Sequence, residues 1–116
     1  MTHIRVILPA YFPQACNIEQ LKPYEKEDLT ISLTYGDIDA KSIRHEFDMA
    51  MAAPAVIKKV LEAEKDKVDA IVVNIMSEIS LAACREAVKI PVLSLAETAM
   101  HVAGTLGRKF SIVNTT

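Results

Sequence analysis

Glycine is scarce, at three residues in 116, and none of the three follows the first apolar run. The stretch after that run, "LPAYFPQAC", also spends two potential backbone donors on proline. A phosphate cradle needs free amides and close backbone approach at a helix start, so a nucleotide or flavin site is not expected there. Cysteine is nearly as rare. Cys16 and Cys84 are far apart and form no CxxC pair, which argues against a zinc site or a disulfide framework and makes a reducing cytoplasm the default. No metal, flavin or pyridoxal cofactor is expected. The net charge is −2 with no basic block, so nucleic acid is not an expected partner. No apolar run reaches the roughly 18 residues of a membrane span, and the opening "MTHIRVILPA" is too short in apolar residues for a signal peptide.

What is abundant is aliphatic. Half of the residues are hydrophobic (51%) but only 5% are aromatic, a composition that suits buried parallel strands under tightly packed helices. Apolar β-branched runs alternate with helical patterns, the mark of βαβ units. Strands are expected at 3–8, 29–35 (nearer an edge), 70–75 (central), 90–95 and 109–115. Residues 9–28 leave room for a loop and one short helix.

The helices carry their own signals. "SIRHEFDMAMAA" (42–53) predicts an inward stripe of Ile43, Phe47, Ala50 and Met51, with Pro54 breaking or kinking the pattern and suiting the first turn of a following helix. That second helix turns Val56, Ile57, Val60 and Leu61 inward. Ser77 is expected to cap the next helix, with Leu81, Cys84 and Val88 on one face. Ser94 to Glu97 reads as a capping box, and Gly107 as a C-terminal stop. A weak internal repeat links "THIRVILPAY" with "GRKFSIVNTT". Each puts a basic residue before an apolar strand that enters a small or polar turn.

Titratable groups give a bland reading first. A receiver-type phosphorylation site would need carboxylates after the first and third strands, where Pro9-Ala10 and Asn74-Ile75 stand instead. Cys84 reads as a buried structural thiol. Cys16 reads as an exposed loop thiol with nothing near it in sequence to lower its pKa. His45 and His101 are placed in helices. The Glu97–His101 spacing is that of a surface helix contact, worth about 0.3–0.5 kcal/mol.

The stretch "SIRHEFDMAMAAPAVIKKVLEAEKDKVDAIVV" resembles the "SIE..YD.A.AAP.V...I.EAE..G.DA.VI" segment of the aspartate/glutamate/hydantoin racemase superfamily, in its hydantoin racemase-like branch. Likewise "LAACREAVKIPVLSLAETAMHVAGTLGRKFSIV" resembles that branch's "L.AAREAV.IPVVG.GEA..H.A..LG..FS.V". The likeness covers about residues 36–116; before that, only the opening strand matches. It implies an α/β fold of two similar halves with the active site between them. It also implies cofactor-independent racemisation, in which one cysteine per half faces each side of a substrate α-carbon and a proton leaves to one thiolate and returns from the other thiol.

On that resemblance, residues 1–107 form an N-terminal α/β domain, a doubly wound parallel sheet of order 2-1-3-4. Residues 108–116 are the first strand of a truncated second lobe. Where relatives read "N-C-F-G-D-P-G", this chain reads Asn74-Ile75-Met76-Ser77-Glu78-Ile79-Ser80, so Ile75 occupies the first catalytic cysteine's position. An alkyl group cannot exchange a proton. The relatives' "N-P-N-T" becomes Leu8-Pro9-Ala10-Tyr11, and their "G-.-G-E-A" becomes Ser94-Leu95-Ala96-Glu97-Thr98. Expected ligand contacts are therefore Ala10, Tyr11, Asn74, Met76, Ser77, Glu97, Thr115 and Thr116. The ligand implied is a small carboxylate or a hydantoin-like ring, and the chain is expected to be catalytically incompetent by itself and to form a homodimer through its terminal strand. The alternative is a non-catalytic binding or assembly module that retains the fold.

Overall fold

The computed structural model describes residues 1–38 and 43–114. Four strands form one all-parallel sheet: β1 (Thr2–Leu8), β2 (Leu29–Tyr35), β3 (Ala70–Val73) and β4 (Val92–Ser94), in the order β2-β1-β3-β4. This is the order expected from sequence. A short helix α1 (Ile18–Leu21) runs into a 3-10 turn at Lys22–Tyr24; α2 (Glu46–Lys65), α3 (Leu81–Ala87) and α4 (Leu95–Leu106) make the crossovers and the close. Because strand side chains alternate, β1, β3 and β4 send Ile7, Ile71, Val73 and Val92 to one face, where α2 and α3 bury them. Val6, Leu8 and Val72 go to the opposite face, where Val6 and Leu8 bury Cys16.

Helix α2 departs from the sequence expectation. It runs unbroken through Pro54, although a proline inside a helix loses one hydrogen bond and crowds the carbonyl four residues back, at a cost of about 3 kcal/mol. Two features offset that cost. Ala50 and Pro54 both lie on the exposed side, where water can reach the freed carbonyl. The buried stripe of Ala52, Val56, Val60 and Ala63 also needs one continuous register across the proline to lie on the sheet. That stripe lies about half a turn from Phe47 at 3.6 residues per turn, so Phe47 is 72% exposed. Ala50, Met51 and Leu61 are likewise exposed rather than inward. Residue 42, where the helix was expected to begin, lies outside the described residues.

Other differences are local. Helix α3 begins after Ser80, not Ser77: Ile79 is pulled into the core, and Ser80, at φ 49°, turns the chain in the left-handed region. Leu81, Cys84 and Val88 then share the buried face as expected. Cys16 is buried at 4% exposure rather than in open loop, because residues 12–16 fold back over the sheet and the Tyr35 hydroxyl donates to the Cys16 carbonyl at 2.7 Å. No strand forms over 109–114; the expected fifth strand is absent among the described residues, and Thr115 lies outside them.

Candidate functional site

In a parallel sheet all carboxyl ends face one way, and ligands collect beyond them. Register fixes that edge here. Ile7 pairs with Val73, Val73 with Ser94, and Leu8 with Tyr35, so residues 9–11, 74–77 and 95–97 all leave the sheet at the same end. Gly36 allows the β1 and β2 ends to close together. Its amide donates to the Leu8 carbonyl at 2.8 Å, and a Cβ there would stand 2.0 Å from the Pro9 carbonyl oxygen. A clash with fixed backbone leaves no room for any side chain.

At this edge the sequence-derived residues divide among three openings. Tyr11 is exposed and packs edge-on against Tyr35 with ring centroids 4.9 Å apart, over a hollow also lined by Asn17, Ser32 and Leu33. Ala10, beside it, is fully buried. Ser77 lines a cavity of about 520 Å³ between the β3–α3 loop and the first turns of α2, together with Glu46, Met49, Glu78, Ser80 and Asn114. Met76 faces away from that cavity's walls into a groove beside α4 and residues 110–113. Asn74 is half-buried, and its amide is held by the Ile7 carbonyl at 2.8 Å, which extends the β1–β3 ladder by one step. Thr115 and Thr116 lie outside the described residues.

Ile75 is half-buried and packs against the α2/α3 core, in the same apolar margin as Ile38, Ile43 and Met49. The side chain at the end of β3 is thus a packing group. Neither thiol takes its place. Cys84 is wholly buried on α3, with its sulfur 3.9 Å from the Ser80 hydroxyl, and burial pushes its pKa up, away from the thiolate. Cys16 is buried on the other face.

Glu97 sits in the first turn of α4. Its amide donates to the Ser94 hydroxyl at 3.0 Å, which is the capping half of the expected box. The reciprocal half is not made, because the Glu97 carboxylate turns to Arg85 at 3.2 Å and approaches His101 at 3.9 Å. Arg85 was not singled out from sequence. Its Nε donates to the Val92 carbonyl at 3.0 Å, so it ties α3 to β4 and to the start of α4 at once. No spacing rule announces a pair twelve residues apart across a strand. Glu46 and Glu78, the two acids lining the cavity that holds Ser77, were also missed; Glu78 stood in the quoted loop, whereas Glu46 reaches the site only through the placement of α2.

At the mouth of α2, Asp48 accepts from the amides of Arg44 and His45 at 3.1 and 3.0 Å. Those two bonds, with a smaller contribution from the His45 ring, hold its carboxyl below the ordinary range. Among the described residues no group of three or more His, Cys, Asp or Glu is arranged to hold a metal ion. No described helix is long and apolar enough to cross a membrane.

Over residues 18–116 the chain matches the family model described as Asp/Glu/Hydantoin racemase. It is 35% identical over 74 residues to a hydantoin racemase of Rhizobium meliloti, a match that covers 64% of this chain and 31% of that protein. Its backbone superposes on an allantoin racemase from Klebsiella pneumoniae with a TM-score of 0.80 at 27% identity, covering 90% of this chain and 44% of the other. An allantoin racemase from Pseudomonas fluorescens shares the fold at a TM-score of 0.85 and 23% identity, over 99% of this chain and 49% of the other. The chain therefore spans about a third of the length of the curated relative and under half that of the solved structures.

Proposed function

We propose that this chain, which belongs to the Asp/Glu/Hydantoin racemase family, binds a small hydantoin-like or carboxylate ligand at the carboxyl edge of its sheet without cofactor and does not racemise it unaided. The observation that carries this reading is the alkyl side chain at position 75. Racemisation needs an acid and a base on opposite sides of a weakly acidic carbon, and each such group contributes about 10²–10⁴-fold. Ile75 supplies neither, and both thiols of the described chain are buried elsewhere. Tyr11, Asn74, Met76, Ser77 and Glu97 remain the ligand-contacting candidates. Ala10, being buried, is assigned to shaping the loop, and Thr115 and Thr116 keep the role that the resemblance gives them. We place the protein in the cytoplasm, as a homodimer.

A second reading follows from the coverage of the solved racemases, which is under half. In it, a second α/β half completes the site and supplies the missing proton-transfer group. The first reading is tested by α-proton exchange into deuterated water for aspartate, glutamate and a 5-substituted hydantoin, with binding of each followed by calorimetry, and the second by the same exchange in the presence of a chain carrying a second α/β half with a cysteine after a strand. Binding with background exchange is the expected result. Robust exchange by the isolated chain that survives Cys16→Ala and Cys84→Ala would reveal another base and overturn the assignment of Ile75.

A further inference from the structure

Strand β2 forms the edge of the sheet opposite β4. Its sequence, Leu29-Thr30-Ile31-Ser32-Leu33-Thr34-Tyr35, carries no charge, no proline and no glycine. Short β-prone runs of that kind pair with copies of themselves when their edge is open. Register shows which backbone groups face outward. The Thr2 amide donates to the Asp28 carbonyl and the Gly36 amide to the Leu8 carbonyl, both at 2.8 Å, so the even-numbered residues of β2 bond to β1. Leu29, Ile31, Leu33 and Tyr35 therefore turn their amides and carbonyls to the free edge. The chain just before β2 folds back onto that edge. Lys26 and Leu29 exchange two backbone bonds, at 3.1 and 3.0 Å, which closes the edge at Leu29. One step further, the Glu25 carboxylate accepts from the Ile31 amide at 2.9 Å. Glu25 is itself fixed by the 3-10 turn, where its amide donates to the Lys22 carbonyl at 3.0 Å. Among the described residues nothing reaches the amide or carbonyl of Leu33.

We propose that the segment Glu25-Lys26-Glu27-Asp28 is a guard on β2, with the Glu25 carboxylate as its working group, and that it keeps β2 of a second copy from adding antiparallel to this edge. Strand addition needs an alternating row of donors and acceptors. The guard takes both groups of Leu29 and the donor of Ile31, leaving a newcomer only the stretch at Leu33 and Tyr35. An ionised carboxylate is also a stronger acceptor than the peptide carbonyl of an incoming strand, so exchanging one for the other is unfavourable. The incoming β2 has no cation with which to answer the displaced charge. All four guard residues are exposed, so the charge stands on the surface that a second strand would have to cover. The inference is independent of the ligand site proposed above, and it keeps the β2 edge out of the homodimer proposed there.

The test pairs amide hydrogen exchange with sedimentation velocity on the full chain. Glu25→Ala removes the carboxylate, Glu25→Gln keeps an acceptor oxygen without the charge, and Glu27→Ala removes a neighbouring exposed acid as the control. Loss of a bond to an ionised acceptor should speed exchange of the Ile31 amide at least about tenfold in Glu25→Ala. That variant should also form larger species than the parent chain, with a stronger infrared signal of intermolecular antiparallel sheet. In those species the Leu33 amide, open in the parent, should become protected. Glu25→Gln should lie between the two, and Glu27→Ala should match the parent. Faster exchange at Ile31 with no added association would overturn the guard and leave Glu25 a support of its own turn. So would unfolding of Glu25→Ala in far-ultraviolet circular dichroism, protection of Leu33 already in the parent chain, or association that leaves Leu33 exchanging freely.

Discussion

The two faces of one sheet differ more than the strands that make them. On the α2/α3 face, Ile7, Ile71, Val56, Val60 and Cys84 are shut away from water. On the α4 face, one residue along β4 from Val92, Leu93 is nearly half open. The strands alternate apolar residues onto both faces with no preference visible in their composition. Closure is decided by what crosses over each face. A 20-residue helix with a five-residue buried set covers one, whereas the other is closed over Val6 and Leu8 by the segment around Cys16 but met beside β4 by a 12-residue helix that buries a single alanine. Burial follows the covering helix, and so does stability.

Matched truncations on the two faces give the sharpest contrast. Ile71→Ala removes a fully buried side chain and should cost about 3–4 kcal/mol in urea-induced unfolding, in the range of core cavities. Next in size is Gly36→Ala, where the added methyl meets the Pro9 carbonyl and the β1–β2 ends must separate. Roughly 2–3 kcal/mol is expected, and a cost below 0.5 kcal/mol, about the scatter of surface substitutions, would mean that the close approach is dispensable. Ser94→Ala deletes the cap that starts α4 and should cost about 1 kcal/mol. Leu93→Ala, on the open face, is expected at under about 1 kcal/mol in the monomer because little buried surface is lost. Equal costs for Ile71→Ala and Leu93→Ala would abolish the distinction between the faces.

Both faces should respond to alkali through a buried group. Burial raises the pKa of Cys84 above its ordinary 9.0, and that of Tyr35 above 10.0, with Cys16 and Tyr11 adding to the latter. A group whose folded pKa is raised contributes stability that is fully present below the unfolded value and is lost as pH rises through the folded one. Stability should therefore be flat at neutral pH and fall above about pH 9, and Cys84→Ala should flatten the start of that fall. A thiol reagent should find both cysteines slow to react in the native protein and fast once it is unfolded. Prompt labelling of either in the folded chain would place that thiol at the surface.

Much of this was legible in the chain itself. Four of the five expected strands follow from aliphatic runs alternating with helical spacings, signals that local sequence carries, whereas the 2-1-3-4 order was implied by the family resemblance and the strand expected over 109–115 does not form among the described residues. The Leu81, Cys84 and Val88 face and the Ser94 cap are likewise local. Where reading failed, a distant partner had decided. Pro54 is a helix breaker by its own chemistry, yet it lies inside α2 because the buried stripe on either side is worth more than one hydrogen bond. Phe47 and Met51 fit a helical stripe as well as Val56 does, and only the direction from which α2 meets the sheet tells them apart. At the candidate site, residues 74–77 were identified because one strand presents them together. Glu46 and Arg85 reach the same end of the sheet only by folding.

Periodicity and capping chemistry therefore determined which residues alternate, that Ser94 and Gly107 bound α4, and that the strands run parallel beneath crossovers, because those are properties of neighbours along the chain. Tertiary structure alone decided which face is sealed, that Ile75 is a packing group at the edge of the core, that Cys16 is buried, and that α4 stands half bare. Each of these depends on what lies across a gap that no sequence spacing measures.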